Sequence, residues 1–178
     1  MARSSERIFD LAEFAAQVGH PKRRPTKSLS EAFQVAVDGL RKRHIPFLLH
    51  GAWAMGAYGY RRATEDLDFL LPYKKKHVKD VYELMDALGA IPGEPGPRDP
   101  ATAIAQDKRH LPFNLYGWVL DFFRDTDFEA VRARSKRKRV GPKVVNVISP
   151  KDLIARKRER GTLQDLADVE RLERFLQD

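Results

Sequence analysis

The chain contains no cysteine. Disulfides, thiolate-held zinc and a cysteine nucleophile are thereby excluded, and a reducing intracellular setting is compatible. Long apolar runs are also missing. The longest, residues 45–49, is far short of the ~20 residues a membrane-spanning helix requires. Met1 to Asp10 leads into a charged amphipathic stretch without the apolar region of a secretion signal. A cytoplasmic protein without a membrane partner is therefore expected. No internal repeat is present.

The 178 residues suit one domain, with or without a terminal helical extension. Charged residues are 33% of the chain, and the 10 Phe and 2 Trp speak against wholesale disorder. The net charge of +8 is unevenly placed: residues 131–160 hold 12 Lys or Arg against the acids Asp152 and Glu159. Arg132, Arg134, Lys136, Arg137, Lys138, Arg139 and Lys143 form the densest part, and Lys22, Arg23, Arg24 and Lys27 a smaller cluster. Such density favours a polyanionic partner, because neutralising phosphates releases counterions. The plainer reading is a solvated, solubilising surface.

Apolar spacing predicts a helix over residues 5–18, then a basic linker. Ser28 and Glu31 have capping-box spacing before a helix with the stripe Leu29, Phe33, Ala36, Val37 and Leu40. Phe47 to His50 reads as a buried strand, Ala52 to Gly59 as a short helix and Asp66 to Leu71 as a second strand. Val78, Val81, Tyr82, Met85 and Leu88 mark another helix, and residues 91–100 a Pro- and Gly-rich loop. Strands are expected over 111–116 and 118–123, with a link at Gly117 so tight that it calls for a bulge or a wider turn, and over 144–148, with a short helix over 127–134. Ser149, Pro150 and Asp152 start a helix ending near Gly161. Leu163, Leu166, Val169, Leu172 and Leu176 form the expected stripe of the last helix. The order predicts an α/β (α+β) fold, a mixed sheet flanked by helices with a helical C-terminal part. Residues 1–27 read as helix and linker, and 28–178 as the domain.

The chemistry concentrates at Asp66-Leu67-Asp68. On a strand, Asp66 and Asp68 project to one face while Leu67 and Phe69 enter the core. Carboxylates so placed repel unless a cation lies between them, and Mg²⁺ prefers oxygen ligands. The alternative is two solvent-facing acids. A strand, then Gly51-Ala52, then a helix start makes a seat for phosphate. Asp121 is flanked by Val119, Leu120, Phe122 and Phe123, surroundings in which an idle charge is costly.

Gly51-Ala52, Gly59, Arg62, Thr64, Asp66 and Asp68, followed by Leu120-Asp121-Phe122, resemble the signature of minimal nucleotidyltransferases of the DNA polymerase β superfamily. The AbiEii-like and MenT-like branch, which includes toxins of toxin–antitoxin systems, is the nearer likeness, with similarity extending through 147–157 and 165–169. The resemblance implies an NTP substrate, two Mg²⁺ ions (Mn²⁺ as substitute) on the catalytic carboxylates Asp66, Asp68 and Asp121, and phosphoryl transfer to a hydroxyl. It implies nucleotide contacts at Gly51, Ala52, Arg62, Thr64, Lys157 and Asp165. Ala52 departs from the commoner Gly or Ser and offers no hydroxyl to phosphate. RNA, and tRNA in particular, is the expected acceptor, with Arg132 to Lys143 as its contact surface and an antitoxin as a further partner. Two alternatives stand beside it: a protein side chain or small molecule such as an aminoglycoside as acceptor, or a non-catalytic nucleic-acid-binding or antitoxin-type module. The other readings of individual residues are structural: Arg62 as a loop brace, Thr64 as a turn residue, Lys157 on a solvated helix face, Asp165 as a cap and His50 at a strand end.

Overall fold

The structure, a computed structural model, describes residues 25–177. The helix expected over 5–18, and Lys22, Arg23 and Arg24, lie outside them. The described elements are α1 (Leu29–Lys42), β1 (Leu48–Leu49), α2 (Gly51–Ala57), β2 (Asp66–Pro72), α3 (Lys75–Ala87), β3 (Ile91–Pro92), α4 (Pro100–Ala105), β4 (His110–Leu115), β5 (Trp118–Asp125), α5 (Phe128–Arg134), β6 (Lys136–Val140), β7 (Lys143–Val147), α6 (Pro150–Arg160) and α7 (Leu163–Gln177). The strands form one mixed sheet in the order β3-β4-β5-β2-β1-β7-β6.

Local chemistry explains most boundaries. Glu31 N–H donates to Ser28 Oγ at 3.1 Å and Ser28 N–H to Glu31 Oε2 at 2.9 Å, closing the capping box that starts α1. The Ser28 N–H, and then its hydroxyl, which donates to the same oxygen, hold the Glu31 carboxyl below its ordinary range. The expected stripe of α1 is buried, and Phe33 stacks on Trp53 of α2 at 5.2 Å between centroids. Ser149 caps α6, with Pro150 in its first turn, and Gly161 closes it in the left-handed region at φ 66°.

Some expectations are refined and others corrected. The 115–118 link is a wider, two-residue turn, with Tyr116 at φ 60° and Gly117 at φ 98° and Leu115 paired to Trp118. Two successive positive φ values suit the right-handed twist of a hairpin. The 91–100 loop contributes the short strand β3, and Asp99 caps a helix just beyond it. Lys136 to Val140, a basic stretch without apolar alternation, is the edge strand β6. Charge on an edge strand discourages pairing with another chain, so the stretch forms a strand without burying itself. In α7 the expected stripe holds only in part: Val169 and Leu172 are buried, but Leu163, Leu166 and Leu176 are exposed, and Asp165 and Asp168 face inward instead. Helical spacing fits both faces, and the buried one is chosen by an ionic network described below.

Candidate active site

β2 supplies the first two carboxylates. Leu67 and Phe69 are fully buried on one face of the strand, which leaves Asp66 and Asp68 on the other. β5 runs parallel beside β2, and Asp121 stands in register with Asp68. Carboxylate oxygens of Asp66, Asp68 and Asp121 lie within 4.8 Å of one another. Burial, and then the charges of Asp66 and Asp121, push the Asp68 carboxyl up to about 8. Thr64 donates its hydroxyl to Asp66 Oδ1, and His110 Nε2 lies 2.7 Å from Asp121 Oδ1. The His110 ring stacks on Phe123 at 4.8 Å between centroids, which fixes its plane.

On the other side of β2, β1 is antiparallel to it, and His50 N–H donates to the Asp68 carbonyl at 2.9 Å. The chain then turns through Gly51 at φ 64°, a conformation that favours glycine. A Cβ there would lie 2.6 Å from Asp68 Cγ, so glycine is also what lets the helix start approach the carboxylate. His50 caps α2 without a side-chain bond. Its ring nitrogens are shielded and have no hydrogen-bond partner among the described residues. Burial, and then the cations Arg156, Lys157 and Arg160, lower the imidazole to about 3, so it is neutral.

The C-terminal half of α6 brings those cations to the cleft, and α7 holds Lys157 and Arg160. Lys157 Nζ is buried, 2.8 Å from Asp168 Oδ2 and 3.4 Å from Asp165 Oδ1. Arg160 Nε donates to Asp165 Oδ2 at 2.7 Å, and Thr162 Oγ1 to the same oxygen at 2.6 Å. These bonds, that from Arg160 foremost, hold the Asp165 carboxyl well below its usual range. Arg62 Nε lies 3.3 Å from Asp168 Oδ2, and Arg156 pairs with Asp125. The result is a cleft of about 620 Å³ lined by His50, Gly51, Ala52, the three aspartates, Arg62, His110, Phe123, Arg156, Lys157 and Arg160, among others.

Of the expected site residues, Asp66, Asp68, Asp121, Gly51, Ala52, Arg62 and Lys157 line this cleft. Thr64 and Asp165 stand behind it, each bonded to a residue that does. The basic segment stands elsewhere. None of Arg132, Arg134, Lys136, Arg137, Lys138, Arg139 and Lys143 lines the cleft. Arg134 forks onto Asp152, Lys143 onto Asp38, Arg132 lies 3.5 Å from Glu129, and Lys138 sits over the Tyr58 ring at 5.0 Å. β6 is separated from β2 by β7 and β1, so it lies three strand spacings away, roughly 14 Å. Sequence reading missed His110, Arg160 and Asp168. Asp165 and Asp168 at i, i+3 carried a signal for Asp168, as one helix face bearing two acids after the cations of α6.

A stability test follows from the protonation of the site. The Asp68 carboxyl is raised to about 8, so the folded chain holds a proton there that the unfolded chain loses near pH ~4. Its contribution is complete at acid pH and is lost as pH rises through 8. His50, lowered to about 3, acts in the opposite sense, with stability rising until the unfolded value of ~6.5 and flat above it. Between pH ~6.5 and ~8 the metal-free protein should therefore lose roughly 1–2 kcal/mol, or about 3–6 °C in melting temperature. Melting scans in EDTA should show the fall; Mg²⁺ or Asp68→Asn should flatten it.

The site has the donor chemistry of a divalent hard cation: three converging carboxylates, one of them raised to about 8 by burial and by its two acidic neighbours. Among the described residues no helix is long and apolar enough to cross a membrane. No protein-family model and no curated protein matches the chain. Solved structures do. The antibiotic-resistance factor ANT(2'')-Ia in solution matches at TM-score 0.59 and 15% identity over 80% of each chain. The lincosamide antibiotic adenylyltransferase LnuA, bound to lincomycin, matches at TM-score 0.56 and 14% identity over 82% of this chain and 96% of its own. ANT(2'')-Ia in complex with adenylyl-2''-tobramycin gives TM-score 0.57 and 15% identity over 80% and 85%. At these identities the likeness is one of architecture, and the mixed seven-stranded sheet with its flanking helices is the fold of these nucleotidyltransferases.

Proposed function

We propose that this chain is a divalent-metal-dependent nucleotidyltransferase that moves a nucleoside monophosphate from an NTP to a hydroxyl of a small polar molecule of the aminoglycoside kind. The observation that carries this is the carboxylate cluster facing Arg62, Lys157 and Arg160 across one open cleft. Asp66, Asp68 and Asp121 would hold Mg²⁺ (two ions in the fullest form, Mn²⁺ as substitute). When bound, the metal supplies charge neutralisation and a lowered pKa for the acceptor hydroxyl.

The chain's residues supply the rest. The acceptor oxygen forms a bond to the α-phosphorus, and the bond from that phosphorus to the pyrophosphate oxygen breaks. The acceptor proton passes to an Asp121 carboxylate oxygen, and pyrophosphate leaves. His110 holds Asp121 Oδ1 and so fixes the carboxylate for this task. Gly51 lets the backbone approach the triphosphate. Arg62 and Arg160 meet its negative charge, and Lys157 sets the positive field while it locks α6 to α7.

The small acceptor is preferred to RNA for a specific reason. The basic segment lies outside the cleft, and Arg134 and Lys143 already face acids. The fold is shared with enzymes named for antibiotics, which fits the same preference. Nothing in the site favours a toxin role or an antitoxin partner.

The test is transfer of label from each α-labelled NTP with Mg²⁺, offering aminoglycosides, lincosamides, total tRNA or a protein mixture. Label on a small molecule with equimolar pyrophosphate, lost in Asp66→Ala, is the expected result. Label on tRNA would replace the acceptor and keep the enzyme. Absence of transfer to every acceptor, with wild type and Asp66→Ala alike, would sink the enzyme reading.

A further inference from the structure

A second cleft lies on the sheet's other flank, where the end of α1, the last turn of α5 and the β6–β7 hairpin meet. It encloses about 300 Å³ and is lined by Arg41, Phe47, Arg132, Arg137 and Asn146 together with Pro46 and Val144. Three guanidinium groups share this space, and no acid lines it. Arg137 and Asn146 stand opposite each other in the β6–β7 register, so both side chains leave the same face of the hairpin. Arg41 donates to the Val144 carbonyl, which holds it in place without neutralising it.

The charges are poorly met. Arg137 has no acidic partner among the described residues. Arg132 reaches Glu129 at 3.5 Å, and both side chains are at least half exposed, a pairing worth little in water. Lys136 and Lys138 alternate to the opposite face, where Lys138 covers Tyr58. The strand thus divides its charges, sending arginines to the cleft side and lysines away from it. Arginine forks match the geometry of phosphate oxygens, and the Asn146 amide adds a donor.

We propose that this cleft is a second anion site that binds phosphate groups through Arg41, Arg132 and Arg137. It shares no lining residue with the catalytic cleft. It therefore stands or falls separately from the nucleotidyltransferase reading. Its volume is at the small end for ligand sites, which suits a phosphate or pyrophosphate group better than a whole nucleotide. The phosphate has two chemical sources, the backbone of a single-stranded RNA or a free phosphorylated compound.

Calorimetric titration of the full chain with inorganic pyrophosphate in EDTA at low salt tests it. Removing metal leaves the catalytic carboxylates to repel the probe. Arg132→Ser and Arg137→Ser should each weaken binding about tenfold or more, as loss of a charged hydrogen-bonding partner requires. Lys136→Ser removes a like charge from the same strand on the face turned away from the cleft, and should change affinity by less than about twofold. All three positions are at the surface, and matched melting curves verify folding. A ten-nucleotide single-stranded RNA that binds more tightly than pyrophosphate, weakens with salt and depends on Arg137 identifies nucleic acid as the source. RNA binding no tighter than pyrophosphate identifies a free phosphorylated compound. Unchanged pyrophosphate affinity in Arg132→Ser and Arg137→Ser overturns the site. An equal loss in Lys136→Ser also overturns it, since general charge would then explain the binding.

Discussion

Gly51→Ala is expected to abolish nucleotidyl transfer, by roughly a thousandfold or more, while the fold survives. The position combines two demands. Its φ of 64° costs a side-chain-bearing residue about 1–2 kcal/mol. Its Cβ would also fall 2.6 Å from Asp68 Cγ and 3.0 Å from Asp68 Cβ. The Asp68 carboxylate is the end of a side chain, so it is what gives way, and it rotates out of the cluster with Asp66 and Asp121. Divalent-ion binding should fail with activity, measurable by Mn²⁺ titration without substrate. Gly89→Ala supplies the control. Gly89 has φ 74° with nothing within 4 Å of the added Cβ, so it carries backbone strain alone. If Gly89→Ala and Gly51→Ala both keep full ion affinity, the carboxylate cluster does not depend on this close approach.

Asp168→Ala is expected to be among the most destabilising single changes in the chain, at about 3–5 kcal/mol. Asp168 is fully buried and receives Lys157 at 2.8 Å, while Lys157 is only 4% exposed. Gln164 Nε2 also donates to it at 2.9 Å, and Arg62 Nε lies 3.3 Å away. Removing the carboxylate leaves an ammonium in the interior with Asp165 at 3.4 Å as its remaining acid. The loss corresponds to roughly 10 °C in melting temperature, and urea midpoints should fall in proportion. Lys157→Met in the same chain should recover much of it, because replacing a buried pair by apolar groups is far cheaper than breaking it. A single variant as stable as wild type would show that solvent reaches Lys157 and that the network does not hold α6 to α7.

The two variants separate what different residues do in the same cleft. Gly51 acts on the position of a carboxylate, with a small stability cost. Asp168 acts on the frame that carries Lys157 and Arg62, with a large one. Activity lost in proportion to folded fraction for Asp168→Ala, and lost outright for folded Gly51→Ala, distinguishes frame from chemistry.

Much of the fold was legible because its signals are local. The Ser28 capping box, the Ser149-Pro150 start and the Gly161 stop each act within one helical turn, so sequence spacing suffices to read them. Alternation along β2 likewise puts Asp66 and Asp68 on one face from spacing alone. β6 was not legible, since Lys-Arg-Lys-Arg-Val carries no apolar alternation and owes its strand to pairing with β7. The face of α7 was not legible either. Its leucines and its aspartates both repeat at helical spacing, and only Lys157 and Arg160 on a different helix select the aspartates.

Spacing along the chain was enough for the α/β class, the acid pair on one strand face and the glycine that precedes it, because each rests on neighbours in the chain. Packing of distant segments set the rest. It placed Asp121 beside Asp68 through a parallel pairing more than fifty residues apart and set His110 against Asp121. It also put the basic segment at the far edge of the sheet, away from the cleft of the three aspartates. Strand order is a property of the whole sheet, fixed by which buried faces pack together. No local spacing carries it, and so the charge that pointed to a nucleic-acid acceptor could be counted in the sequence but not located.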